Sequence, residues 1–132
     1  MNTPTHRFRS AARVVFVLAT IALLTATHWP GLTVHSDSFS RMDLIIHTGV
    51  FFVWTIMLYN ARLVAAGNRS RPACFKRRII WTIVAGILFA IFDESTQPLF
   101  NRVADPLDAM ADTLGVLLAV GSIALCTMRF RA

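Results

Sequence analysis

A chain of 132 residues that is 55% apolar, with mean hydropathy +0.58, is too hydrophobic for a soluble domain and has room for one compact membrane domain. Its net charge of +6 raises the question of a nucleic-acid partner, but the placement of that charge along the chain argues for membrane orientation instead. The two cysteines, Cys74 and Cys126, lack metal-type spacing and are expected to be free thiols.

The first 13 residues are polar and basic, and Val14 to Trp29 follow without an Asp, Glu, Lys or Arg. This run predicts a first membrane helix over about 12–29, because about 20 residues at 1.5 Å each cross the hydrocarbon core. A cleaved signal peptide is the rival reading, although Leu24-Thr25-Ala26 is a poor cleavage site. Pro30 and Gly31 stop the helix.

A polar loop leads to Ser40, an expected N-cap with Asp43 in capping-box spacing, and a second helix over about 41–66. Along it Asp43, His47, Val50 and Trp54 share one face. Residues 67–78 read as a basic, solvated loop against anionic headgroups. A third helix is expected over about 78–97, ending where Pro98 disfavours helix at the preceding residue. Gly86 and Ala90 share its face with Asp93 and Gln97 and permit close helix approach.

Asp105-Pro106-Leu107-Asp108 is a strong start for the fourth helix, over about 106–128, with Asp105 as N-cap and Pro106 at the first helical position. Its face at Asp108, Asp112, Gly115 and Ala119 is acidic, then small. The Phe and Trp side chains are expected to be lipid contacts and interface anchors.

Four crossings starting from the cytoplasm leave every Lys and Arg except Arg41 and Arg102 on the inner side, which satisfies the positive-inside rule. Both termini are then cytoplasmic, and all seven acidic residues fall on the outer side or at outer helix ends. The expected fold is an all-α, four-helix bundle in one domain spanning 1–132.

Polar groups from three helices meet at one depth in this arrangement. Asp43 and His47 come from the second helix, Asp93, Glu94 and Gln97 from the third, and Asp108 and Asp112 from the fourth, with Arg102 on the loop between the last two. Carboxylates held this close cannot all be ionised without partners, and charge at the end of a hydrophobic helix carries a functional hypothesis. Capping explains Asp43 and Asp108 about as well as a site role does, since both stand at a third helical position. Glu94 stands at the negative end of a helix, so it needs a partner, and Arg102 is the first choice.

The linked set Asp43-x-x-x-His47, Asp93-Glu94-x-x-Gln97, Arg102, Asp108 and Gly115 resembles the VanZ-like membrane proteins over roughly residues 28–120. Leu44 stands where the family usually has Lys, and Asp112 where Asn is common, which makes this chain's site more acidic. The resemblance implies a small multi-pass protein of the bacterial inner membrane, in a family named for a link to teicoplanin resistance.

Three functions are compatible with these residues. A membrane enzyme acting on a lipid-linked envelope substrate would use Arg102, Asp108 and Asp112 to bind it and Glu94, His47, Asp43 and Gln97 for chemistry. Asp43, Asp93, Asp108 or Asp112 would hold a divalent cation such as Mg²⁺. A non-catalytic envelope protein would bind a lipid or glycopeptide-related ligand and so alter drug sensitivity. A small transporter component is the third reading, weakened because the inner halves of the helices carry no acid. Membrane lipids are the expected partners, and nucleic acid is not.

Overall fold

The computed structural model describes residues 4–29, 42–63 and 72–129. They form α1 (Pro4–His28), α2 (Met42–Ala61), α3 (Pro72–Thr96), a short 3-10 helix (Gln97–Phe100) and α4 (Pro106–Arg129). All four α-helices are long and apolar enough to cross a membrane. Even α2, with 20 residues, is about 30 Å long at 1.5 Å per residue.

The boundaries follow local chemistry. α1 begins earlier than the hydropathy predicts, since its polar first turns are helical too. Within it Thr20, Thr25 and Thr27 bond back to carbonyls one turn earlier, which satisfies hydroxyls in an apolar setting. α2 ends at Ala61, before the predicted residue 66, because Arg62 takes a left-handed conformation with φ 56°. The expected Ser40 N-cap lies outside the described residues. α3 starts at Pro72, so half of the expected basic loop forms its first turns; proline at a first helical position gives up only an N–H that has no helical acceptor.

α3 gives way at Pro98. The chain tightens into the 3-10 helix, and Asn101, at φ 58°, donates its N–H to the Pro98 carbonyl at 3.3 Å. α4 then starts as its sequence predicts: Asp105 Oδ1 accepts the Leu107 amide at 2.8 Å, and Pro106 is the first helical residue.

α2 is the central helix and packs against α1, α3 and, most extensively, α4. The last of these contacts depends on Gly115. A Cβ there would run into the Thr48 carbonyl oxygen and stand 3.0 Å from the Phe52 amide nitrogen. The Thr48 hydroxyl uses the same close approach to donate to the Ala111 carbonyl at 3.1 Å. Gly86 on α3 makes room for Val116, whose Cγ1 would be 2.8 Å from an added Cβ.

The core joins Phe16 and Leu23 of α1, Phe51, Trp54 and Leu58 of α2, Ala90 of α3 and Val116 of α4. Trp54 stacks on Phe89 with ring centroids 4.4 Å apart and donates its indole N–H to Thr20 at 2.9 Å. The expectation that Phe and Trp face lipid is therefore wrong for Phe16, Phe51 and Trp54, which pack inside with the partly buried Phe89. Phe8, Trp29, Trp81, Phe92 and Phe100 are exposed, as that expectation requires. Leu18, Ile45, Leu88, Leu118 and Leu125 are also exposed, giving an apolar outer surface that suits hydrocarbon rather than water.

Charge is segregated along the bundle. Arg13 donates to the Ala61 carbonyl at 3.3 Å, and the Arg78 guanidinium sits 3.8 Å above the Tyr59 ring, so the start of α1, the end of α2 and the start of α3 share one basic end. The acidic residues among those described lie at the other end, with Arg102. Both cysteines are free, Cys74 half-buried and Cys126 exposed.

Candidate functional site

The acidic end is built around one imidazole. Asp43 and His47 are one turn apart on α2, and Asp108 and Asp112 one turn apart on α4. The close α2–α4 packing at Gly115 brings these two pairs face to face. His47 Nδ1 lies 2.9 Å from Asp112 Oδ1, while His47 Nε2 lies 3.6 Å from Asp108 Oδ2 and 3.9 Å from Asp43 Oδ1. One carboxylate thus meets one side of the ring at Nδ1, and two stand near Nε2 on the other.

Glu94 enters from α3. Its Oε1 accepts the Gln97 side-chain amide at 2.6 Å, and its Oε2 accepts the Asp105 backbone amide at 3.1 Å. The partner expected for it was Arg102; the donors holding both of its oxygens are Gln97 and Asp105. Pro98 prepares this arrangement, because the tight turn it starts brings the Asp105 amide back over Glu94. Glu94, Asp112 and His47 each offer a ligand atom within 4.8 Å of the others, as do Asp43, His47 and Asp108.

Asp93 turns the other way, since neighbouring helical residues point about 100° apart. Its Oδ1 accepts the Thr27 hydroxyl at 2.8 Å and lies 3.8 Å from His28 Nδ1. His28 Nε2 in turn is 2.8 Å from Thr96 Oγ1. The Asp93-Glu94 doublet therefore serves two settings: Glu94 faces the α2–α4 cluster and Asp93 fastens α1 to α3. The sequence reading missed Thr27 and His28, and it used three helices where four contribute. The available signal was two polar residues ending an otherwise apolar run.

Burial is deep for membrane-level acids. Asp93 and Asp112 are 0% exposed and Glu94 is 5% exposed. Asp93 and Asp112 each keep one oxygen, Oδ2, with no hydrogen-bond partner among the described residues. Asp43 is half exposed at its side chain and Asp108 only 15%, so the cluster opens toward its Asp43 edge.

Next to that edge is a cavity of about 210 Å³ between α1 and α2. Arg102, Asp43, His47 and Thr27 line its polar part, and Leu23, Ile46, Val50 and Phe51 its apolar part. Arg102 also reaches the Trp29 carbonyl, with Nη1 at 3.4 Å. An acid cluster, a guanidinium and an apolar slot thus adjoin one another. Such a site can bind an amphiphile with an anionic end, exchange protons, or hold a cation.

A family model described as VanZ/LLP1 matches residues 6–127, nearly the whole chain, and the chain belongs to this VanZ-like family. No curated protein and no solved structure matches it. Of the motif residues that carried the resemblance, Asp43, His47, Glu94, Gln97 and Asp108 gather in or against the cluster, Arg102 lines the adjoining cavity, and Gly115 permits the helix contact beneath.

Proposed function

We propose that this VanZ-like membrane protein binds an anionic, acyl-bearing lipid of the cell envelope, or a lipid-linked envelope ligand, at the acidic end of its bundle. The observation that carries the reading is the cavity in which Arg102 stands beside His47 and Asp43 while Leu23, Ile46, Val50 and Phe51 line the remainder. Arg102 takes the anionic group, since a guanidinium presents a fork of donors matched to phosphate or carboxylate. The apolar lining takes the first part of an acyl chain. Glu94, held by Gln97 and the Asp105 amide, stands behind His47 rather than on the cavity, so a proton exchanged with the bound head would reach it through the imidazole.

The acidic end faces outward in this reading, the termini lie in the cytoplasm, and the membrane is the bacterial inner membrane. The segregated basic residues support that orientation through the positive-inside rule. Whether binding leads to turnover is a question about Glu94, and Asp108 and Asp112 then act on the ligand through His47. A transporter role is disfavoured, because all the acids of the described helices stand at one end and a relay from there stops partway across.

The test is lipid retention. Protein purified in a mild detergent and examined by native mass spectrometry is expected to carry anionic lipid, and Arg102→Ala to lose at least about tenfold of it, since charge-assisted hydrogen bonds contribute roughly 1.5–3 kcal/mol. Equal retention by Arg102→Ala and the unmodified protein would overturn the reading.

A further inference from the structure

We infer that the acidic end is a binding site for one divalent cation of the Zn²⁺ class, with His47 Nε2, Asp43 and Asp108 as its protein ligands and Asp112 as the carboxylate behind the histidine. This deepens the reading above and rests on it only for the identity of the ligand that would share the cation.

His47 Nε2 stands 3.6 Å from Asp108 Oδ2 and 3.9 Å from Asp43 Oδ1, and the three ligand atoms all lie within 4.8 Å of one another. Ligands about 2.0–2.1 Å from a tetrahedral zinc ion stand roughly 3.4 Å apart, so the two carboxylates already stand close to that distance from His47 Nε2, and side-chain movement has to bring them together at the ion. Three protein ligands leave a fourth position for water or for a ligand oxygen, as in zinc sites that meet a substrate. The half-exposed Asp43 lies at the open edge, on the cavity that Arg102 also lines.

Asp112 stands behind the histidine. It is completely buried, and its Oδ1 lies 2.9 Å from His47 Nδ1. A metal-bound histidine characteristically donates its other ring N–H to a carboxylate, which fixes the tautomer and leaves the far nitrogen free to ligate. Asp112 holds the ring in that state. Its Oδ2 has no hydrogen-bond partner among the described residues, so this buried carboxylate gains its stabilisation from positive charge at the ring.

The donor set also selects the metal. Mg²⁺ prefers oxygen ligands and keeps its water, whereas imidazole suits zinc and other later first-row ions. Compared with the expectation of Mg²⁺ held by aspartates, His47 joins the ligands in this proposal, Asp112 moves behind it, and Asp93 is left to Thr27 and His28. A cation here also lets an anionic headgroup approach an otherwise repelling group of acids, bridging it to the site while Arg102 holds its other side.

The experiment uses the full chain in detergent, stripped with a chelator and then exposed to Zn²⁺ in the presence of millimolar Mg²⁺, with metal per chain counted after gel filtration. One Zn²⁺ per chain is expected. His47→Ala and Asp108→Asn should lose it, and Asp112→Asn should weaken it about 10–100-fold. Asp43→Asn alters a half-exposed residue at a helix start and keeps the test valid if the buried variants fail to fold; it should weaken zinc at least tenfold. Failure of the unmodified protein to take up zinc overturns the inference, and so does equal uptake by Asp43→Asn. Lipid retention measured on the same metal-stripped samples separates the two proposals. Lipid bound without zinc uptake removes the cation alone, and zinc uptake with no lipid effect of Arg102→Ala removes the lipid reading alone.

Discussion

His47 of α2 and Asp112 of α4 are 65 residues apart in sequence, yet Nδ1 of one lies 2.9 Å from Oδ1 of the other. Asp112 is wholly buried and His47 nearly so, which makes this a buried polar contact between the two helices that pack most extensively. Removing one partner strands the other away from water. His47→Leu or Asp112→Leu alone should therefore destabilise the bundle by about 3–5 kcal/mol, and the double replacement should cost less than the two singles added. Thermal unfolding of the four proteins in one detergent checks this; strict additivity would refute the coupling.

Gly115 sets the distance between the same helices. Gly115→Ala should push α4 off the Thr48 carbonyl and cost about 1–3 kcal/mol as overpacking. Gly121→Ala, with nothing within 4 Å of the added Cβ, is the control and should leave stability unchanged or raise it slightly. A similar melting temperature for both variants would contradict the close approach.

Glu94 separates turnover from plain binding. Glu94→Gln keeps the shape and a carbonyl oxygen for the Asp105 amide but removes the ionisable group. It should fold and reach the membrane at normal level. If the protein is an enzyme, its phenotype should vanish; a normal phenotype in Glu94→Gln with a lost one in Arg102→Ala would favour binding without chemistry. Glu94→Ala should be less stable by roughly 1–3 kcal/mol, because it leaves the Gln97 and Asp105 donors unmatched.

Thr27 ties α1 to the acid-bearing helix through its bond to Asp93. Thr27→Val preserves volume and removes that donor, so Asp93, whose Oδ2 has no hydrogen-bond partner among the described residues, loses a bond at Oδ1. A fall of about 1–3 kcal/mol is expected by the same unmatched-group reasoning. Stability equal to the unmodified protein would show that α1 is held by its apolar contacts alone.

Orientation is checked by thiol labelling in intact cells. Ala104→Cys places a thiol on the exposed loop before α4 and should react with a membrane-impermeant maleimide, while native Cys74 near the start of α3 should not. The reverse pattern would place the acidic site in the cytoplasm.

The elements were legible because their signals are local. Proline at position 98 ends a helix wherever the rest of the chain goes, and Asp105-Pro106 starts one for the same reason. Their starts shifted where polar first turns stayed helical, as at Pro4 and Pro72, because backbone bonding extends beyond the apolar run that hydropathy detects. The inward face was harder to read. In lipid, the side that meets hydrocarbon and the side that meets another helix are both apolar, so Trp54 and Phe51 carried no mark distinguishing core from surface.

From its residues alone, this chain is determined to be a four-crossing membrane protein with its acids gathered at one end, since charge and hydrophobic length cannot be hidden from a bilayer. Which acids meet is a matter of tertiary structure. Spacing along a helix pairs His47 with Asp43, but the shorter contact is to Asp112, and Asp93 leaves its neighbour Glu94 for α1. Those choices depend on how closely and at what rotation the helices pack, and that is decided by small residues such as Gly115, whose effect exists only once another helix lies against them.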